Sequence, residues 1–197
     1  SEMDQLDGRS IAMKDERIYF YSHSTCLAAV DAKSGQVIWR NSDRGLLDAI
    51  GQFDKAQHAG KGFFTSAFMK CSEEAIYFAG PQLNHLVAAS AQDGHLLWKY
   101  EPTGNFQLVL RDEGLYALGS SENAKKFDPL TGEILADLGF RRQACTRATG
   151  TADMIYCRSK FGGTTQLSVK GDTAQRFALM RPACHDGVIA AGGLFYW

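Results

Sequence analysis

The sequence predicts an all-β fold, a β-propeller of four-stranded antiparallel blades, and three observations carry that prediction. An apolar-aromatic-apolar strand core recurs at Ile18-Tyr19-Phe20, Ile76-Tyr77-Phe78, Leu115-Tyr116-Ala117, Ile155-Tyr156-Cys157 and Leu194-Phe195-Tyr196. The central aromatics stand 58, 39, 40 and 39 residues apart, one period with a single insertion after the first unit. Behind the first three cores, a polar turn closed by glycine separates two β-prone runs, which is the signal of a hairpin.

The turn signature reads Ala29-Val30-Asp31-Ala32-Lys33-Ser34-Gly35-Gln36-Val37-Ile38-Trp39 in its first copy. The second is Ala88-Ala89-Ser90-Ala91-Gln92-Asp93-Gly94-His95-Leu96-Leu97-Trp98, and the third runs from Lys126 through Asp128 and Gly132 to Ala136. Glycine closes the turn because that position commonly needs positive φ, and Asp31 and Asp128 suit Asx-turn acceptors. A fourth copy is degenerate, with Ser168 and Gly171 roughly in register. In the first blade the strands are predicted at Ser10–Met13, Arg17–Tyr21, Cys26–Asp31 and Gln36–Arg40. The blades then cover approximately 8–41, 63–101, 105–139 and 144–180, with part of a fifth at 184–197 and an insertion at 42–62. One such sheet cannot bury both faces alone, so neighbouring units must stack. Helical spacing occurs only between Arg44 and Lys55, where Leu46, Leu47, Ile50 and Phe53 predict a short helix inside the insertion.

Ala-x-Asp-x-x-Ser-Gly-x-x-x-Trp at 29–39 resembles the tryptophan-docking motif of the quinoprotein alcohol dehydrogenase-like (PQQ-repeat) propellers. Ala29, Asp31, Gly35 and Trp39 match in the first copy. Ala88, Gly94 and Trp98 match in the second, where Ser90 replaces the Asp, and Asp128, Thr131 and Gly132 match in the third. The resemblance implies that each Trp packs onto the next blade and that both Trp39 and Trp98 are structural. It also implies a propeller of seven or eight blades, of which this chain holds about four and a half. An open last strand ending on aromatics would then be covered by the remaining blades or by a second copy, as in a homodimer.

Composition bounds the rest. The 197 residues carry 21 basic and 22 acidic side chains, for a net charge of −1, and 45% are hydrophobic. There is no basic tract to meet nucleic acid. The longest apolar stretch, Val188 to Trp197, is too short to span a bilayer. Ser1-Glu2-Met3-Asp4 lacks a signal-peptide character, which leaves either a cytoplasmic chain or one whose targeting segment is absent. Five cysteines make an odd set.

Arg142-Gln143-Ala144-Cys145 and Arg181-Pro182-Ala183-Cys184 form a second repeated element. Cys145 and Cys184 are open to reading as a disulfide between blades, a metal pair, a redox site or two small buried hydrophobes, the last being favoured. Cys184-His185-Asp186 would point to alternating faces of a strand and does not favour a metal. No esterase elbow, phosphate loop or dinucleotide fingerprint is present.

The function expected is a non-catalytic propeller module that binds a protein or ligand, as the similar propellers of bacterial outer-membrane assembly machinery do, without cofactor and in the periplasm or outside the cell. The alternative is a piece of a quinoprotein dehydrogenase holding pyrroloquinoline quinone and calcium, in which the cofactor carries the redox chemistry. A third reading makes the 42–62 insertion a contact loop of a sensor or surface module.

Overall fold

The computed structural model describes residues 6–22, 25–51, 69–80, 83, 85–101, 105–144, 146–183 and 187–196. Strands β1 (Leu6–Lys14), β2 (Arg17–Ser22), β3 (Cys26–Asp31) and β4 (Val37–Asn41) form the first sheet, paired in chain order and antiparallel throughout. After helix α1 (Arg44–Ile50) come β5 (Met69–Cys71), β6 (Ala75–Phe78), β7 (Leu86–Ser90) and β8 (Leu96–Tyr100) in the second sheet. The third holds β9 (Gln107–Arg111), β10 (Gly114–Leu118), β11 (Lys125–Phe127) and β12 (Ile134–Asp137). The fourth holds β13 (Thr149–Gly150), β14 (Met154–Arg158), β15 (Thr164–Ser168) and β16 (Thr173–Phe177), and a hairpin of β17 (Ile189–Ala191) and β18 (Leu194–Tyr196) follows. The expected meander is therefore repeated four times, with a two-stranded fifth.

The strand-core aromatics explain the period. Tyr19, Tyr77, Tyr116 and Tyr156 each sit on the second strand of their sheet and are buried. A large ring at the middle of the sheet gives each unit apolar surface that it cannot cover alone. The spacing of the motif has its own cause. Ala29 pairs with Trp39 while Val30 pairs with Val37, so Ile38 is the extra residue of a bulge; Leu97 and Leu135 hold the same place in the second and third sheets.

The chain divides into two compact units, residues 1–103 with 129–132, and residues 104–128 with 133–197. In the first, Tyr21, Leu27 and Ala29 pack with Ile76, Phe78, Val87 and Ala89 and with Leu46, Leu47 and Ile50 of α1. Tyr21 and Phe78 meet edge to face at 5.6 Å. In the second, Tyr116, Leu118 and Ala124 pack with Ile155, Cys157 and Leu167.

Helix α1 is shorter than the spacing predicts. Asp43 caps it by accepting from Leu46 N at 2.8 Å, and Gly51, at φ 89°, ends it. Leu46, Leu47, Ala49 and Ile50 are buried, so the helix packs into the core of the first unit. Phe53, Lys55 and the rest of the insertion from 52 to 62 lie outside the described residues.

Candidate functional site

The three motif turns are built alike. Gly35, Gly94 and Gly132 adopt φ of 70°, 75° and 75°. The Asp31 carboxylate accepts from Lys33 N, Ser34 N and Ser34 Oγ at 3.1, 2.7 and 2.7 Å. The Ser34 hydroxyl, then its backbone N–H, holds that carboxyl below the usual range. At the second turn Ser90 stands in for the aspartate, its Oγ accepting from Gln92 N at 3.1 Å. Ala29 and Ala88 lie directly across the strand pair from Trp39 and Trp98, where a small residue leaves room for the indole.

Each tryptophan reaches the next turn. Trp39 Nε1 donates to the Ala91 carbonyl at 3.1 Å, and Trp98 Nε1 donates to that of Pro129 at 3.0 Å. The rings lie against the turn glycines so closely that a Cβ on Gly94 would stand 2.5 Å from Trp39 Cζ3, and one on Gly132 2.6 Å from Trp98 Cδ2. Asn41 Nδ2 adds a bond to the Gly94 carbonyl at 2.9 Å.

The third sheet departs from this arrangement, and a second set of residues takes its place. Ala136 stands at the tryptophan position and pairs with Lys126 at the alanine position. The turn of the fourth sheet carries Asp172 at φ 48°. That corrects the sequence register, because Asp172, not Gly171, holds the left-handed position four residues after Ser168. Lys126 Nζ meets Asp172 Oδ2 at 3.0 Å, Tyr116 Oη donates to Asp172 Oδ1 at 3.1 Å, and the ammonium lies 5.3 Å from the Tyr116 ring centroid. Burial alone would pull the Lys126 ammonium down, yet its bonds to Asp172 and Tyr116 hold it above the ordinary lysine value. Burial pushes the Tyr116 phenol up. The signal in the sequence is the four-residue spacing from Ser168, which reaches Asp172, one residue past the glycine.

The repeated arginines separate. Arg142 is fully buried and donates to the carbonyls of Leu118, Gln143, Ala144, Thr146 and Asn105 at 2.7 to 3.1 Å. Five carbonyl dipoles around one guanidinium replace its hydration, which is what lets the charge be buried. Arg181 is exposed. Cys145, Cys184, His185 and Asp186 lie outside the described residues. Cys71 and Cys157 are free thiols. Burial pushes the Cys157 thiol up to about 12, with Arg142 opposing, so it behaves as a packed hydrophobe rather than a nucleophile.

A polar cavity of about 340 Å³ opens beside the β1–β2 turn, where Lys14, Asp15, Glu16 and Arg17 meet Glu73 and Gln92. Its charges answer one another: Lys14 with Asp15 at 3.5 Å and Glu73 at 3.8 Å, Arg17 with Gln92 Oε1 at 3.1 Å. Among the described residues, no three His, Cys, Asp or Glu side chains are grouped to hold a metal. No described helix is long and apolar enough to cross a membrane.

Comparison with known proteins places this geometry. A family model described as outer membrane protein assembly factor BamB (PQQ_2) matches residues 2–155. No curated protein matches the sequence. Among solved structures, the computationally designed protein Ika8 superposes with a TM-score of 0.66 at 10% identity, over 94% of this chain and 53% of its own. BamB from Moraxella catarrhalis superposes at 0.53 and 13% identity, over 87% of this chain and 48% of its own. The Pan2 WD40 domain of Neurospora crassa gives 0.56 and 16%, over 90% and 53%. The chain thus spans about half the length of these structures. At such identities they speak to the fold alone, which is the β-propeller. With its family model matched from residue 2 to residue 155 and its sheets repeated as blades, this chain belongs to the BamB-like PQQ-repeat β-propeller family.

Proposed function

We propose that this chain is a non-catalytic propeller module that holds a protein partner, working without quinone or calcium in the periplasm or outside the cell. The observation that carries the reading is a pair of exposed aliphatic side chains at equivalent places on two edge strands. Val37 and Ile38 on β4 are 63% and 44% exposed, and Ile134 and Leu135 on β12 are 46% and 49% exposed. Both strands are the last of their sheets. The bulge at Ile38 and Leu135 turns consecutive side chains outward and interrupts the ladder edge, so it discourages simple strand addition while offering apolar contact. The motif residues support the same reading, since Trp39, Trp98, Gly94 and Gly132 are all spent on packing. The BamB family is described as an assembly factor for outer membrane proteins, a role that a binding scaffold fills.

A photo-crosslinking residue placed at Ile38 or Leu135 in cells should yield a discrete adduct, lost when Val37 and Ile134 are both changed to lysine. Absence of any adduct, together with dye-linked alcohol oxidation on addition of pyrroloquinoline quinone and calcium, would replace this reading with the dehydrogenase one. An adduct of the chain with itself, matched by a dimer in light scattering, would make a second copy the partner.

A further inference from the structure

We propose that one end of the fourth sheet is a docking surface for an anionic lipid membrane. Three stretches of chain are stitched together there. Lys160 N donates to the Arg141 carbonyl at 2.9 Å, and Arg142 bridges to Ser159. Arg176 Nη1 donates to the carbonyls of Phe161 and Gly162 at 3.1 and 3.2 Å, while Thr164 Oγ1 donates to that of Met180. A Cβ on Gly163 would stand 2.2 Å from the Phe177 carbonyl oxygen, so the β14–β15 loop lies flat against the chain leaving β16.

Two properties coincide on this surface. Its apolar side chains stand out into water: Leu179 is 99% exposed, Phe161 75% and Met180 40%. Around them Arg141, Lys160, Arg176 and Arg181 are exposed, and none is in an ion pair among the described residues. Neither Asp nor Glu occurs in 141–147, 158–163 or 176–183. The carboxylates of the fourth sheet, Asp153 and Asp172, belong to the opposite ends of its strands, next to Met154 and Thr173. The sheet is therefore charge-polarised in a chain whose net charge is −1.

Large apolar side chains exposed together mark an interaction site, and the flanking cations select a negative partner. Leu179 and Phe161 keep 99% and 75% of their surface in water, so they stand out from the backbone rather than sitting in a groove. A peptide needs a groove to bury its anchor, whereas a bilayer accepts protruding Leu and Phe between its headgroups while phosphates meet the guanidinium groups. Side chains this exposed thus favour the lipid surface over an acidic peptide. Phosphatidylglycerol vesicles are the probe.

In flotation assays the intact chain should rise with vesicles containing about one-third phosphatidylglycerol and stay behind with pure phosphatidylcholine, because each surface cation adds roughly fivefold to partitioning. Arg176→Glu with Arg181→Glu should abolish flotation, and about 1 M salt should weaken it, since the screening length then falls to about 3 Å. Leu179→Ser with Phe161→Ser should also reduce it, with circular dichroism and thermal midpoint unchanged, as expected for residues this exposed. Equal flotation with neutral vesicles, none with either, or no loss in the variants overturns the proposal. So does capture of a soluble acidic, aromatic-containing peptide with vesicles ignored, which would assign the surface to a protein. The crosslinking test uses other residues, Ile38 and Leu135, so failure here leaves the partner-binding test intact.

Discussion

Trp39 and Ala136 hold the same motif position in two sheets, and the residue on the following turn has changed with them. In the first unit the indole of Trp39 covers Gly94 and bonds the Ala91 carbonyl. In the second, Ala136 supplies no ring, and Asp172 fills the glycine position with a carboxylate held by Lys126 and Tyr116. Both turns use a left-handed residue, at φ 75° and 48°. Aspartate tolerates that conformation better than most residues, so the backbone alone does not demand glycine at this place. The tryptophan does. A ring-on-backbone contact has been exchanged for an ion pair with a phenol bond, and the alanine opposite the tryptophan has been exchanged for the lysine that makes it.

The largest test separates the two demands on glycine. Gly94→Ala must accept both a left-handed Cβ and an overlap with the Trp39 ring, and should cost about 3 kcal/mol from roughly 1–2 for the backbone and 1–3 for overpacking. Gly35 has φ 70° but nothing within 4 Å of its would-be Cβ, so Gly35→Ala should cost only about 1 kcal/mol. Urea unfolding midpoints of the two variants decide it, and equal losses would break the comparison.

An intermediate effect comes from transplanting one junction onto the other. Lys126→Ala, Ala136→Trp and Asp172→Gly each remove or crowd part of the polar junction, while together they recreate the residue set of the first unit. The triple variant should be more stable than the sum of the single changes by about 2 kcal/mol, within the coupling expected of residues in one contact network. Strict additivity would mean that the two junctions are not interchangeable solutions.

The smallest difference is in salt dependence. Lys126→Met should cost about 1 kcal/mol at low ionic strength, as for a partly buried pair between exposed and fully desolvated cases. Asp172 remains 28% exposed at its side chain, so that cost should shrink near 1 M salt. The cost of Trp39→Phe, which removes the bond to Ala91 and some ring contact, should not fall with salt. Parallel salt series on the two variants would sharpen the contrast, and identical slopes would remove it.

Much of this architecture was legible in the residues. The aromatic period located the second strand of each sheet, because a ring buried at one position per blade leaves a mark no substitution can easily hide. The turn signature located the hairpins, since φ > 0 restricts the residue types that can stand there. The bulge was implicit in the distance from glycine to tryptophan but could not be seen without the pairing of Val30 with Val37. The polar junction escaped because no single residue of it is distinctive. Lys126, Tyr116 and Asp172 are each ordinary, and 46 residues separate the lysine from its partner. Arg142 is half of an Arg-to-Cys repeat, yet what distinguishes it from Arg181 is burial among carbonyls supplied by Leu118 and Asn105, far off in the chain.

By itself, the sequence determined the repeat, the strand order of the meander and the position of the first three motif turns. Those depend on alternation, on backbone dihedrals and on the bulk of one ring, all of which are local and periodic. Only the tertiary structure decided which repeat residues answer one another, which arginine is buried, and where cations and bare apolar side chains gather at one end of a sheet. Such properties are sums over residues distant in the chain, so they come into being only when the backbone brings those residues within reach of a hydrogen bond or a shared patch of solvent.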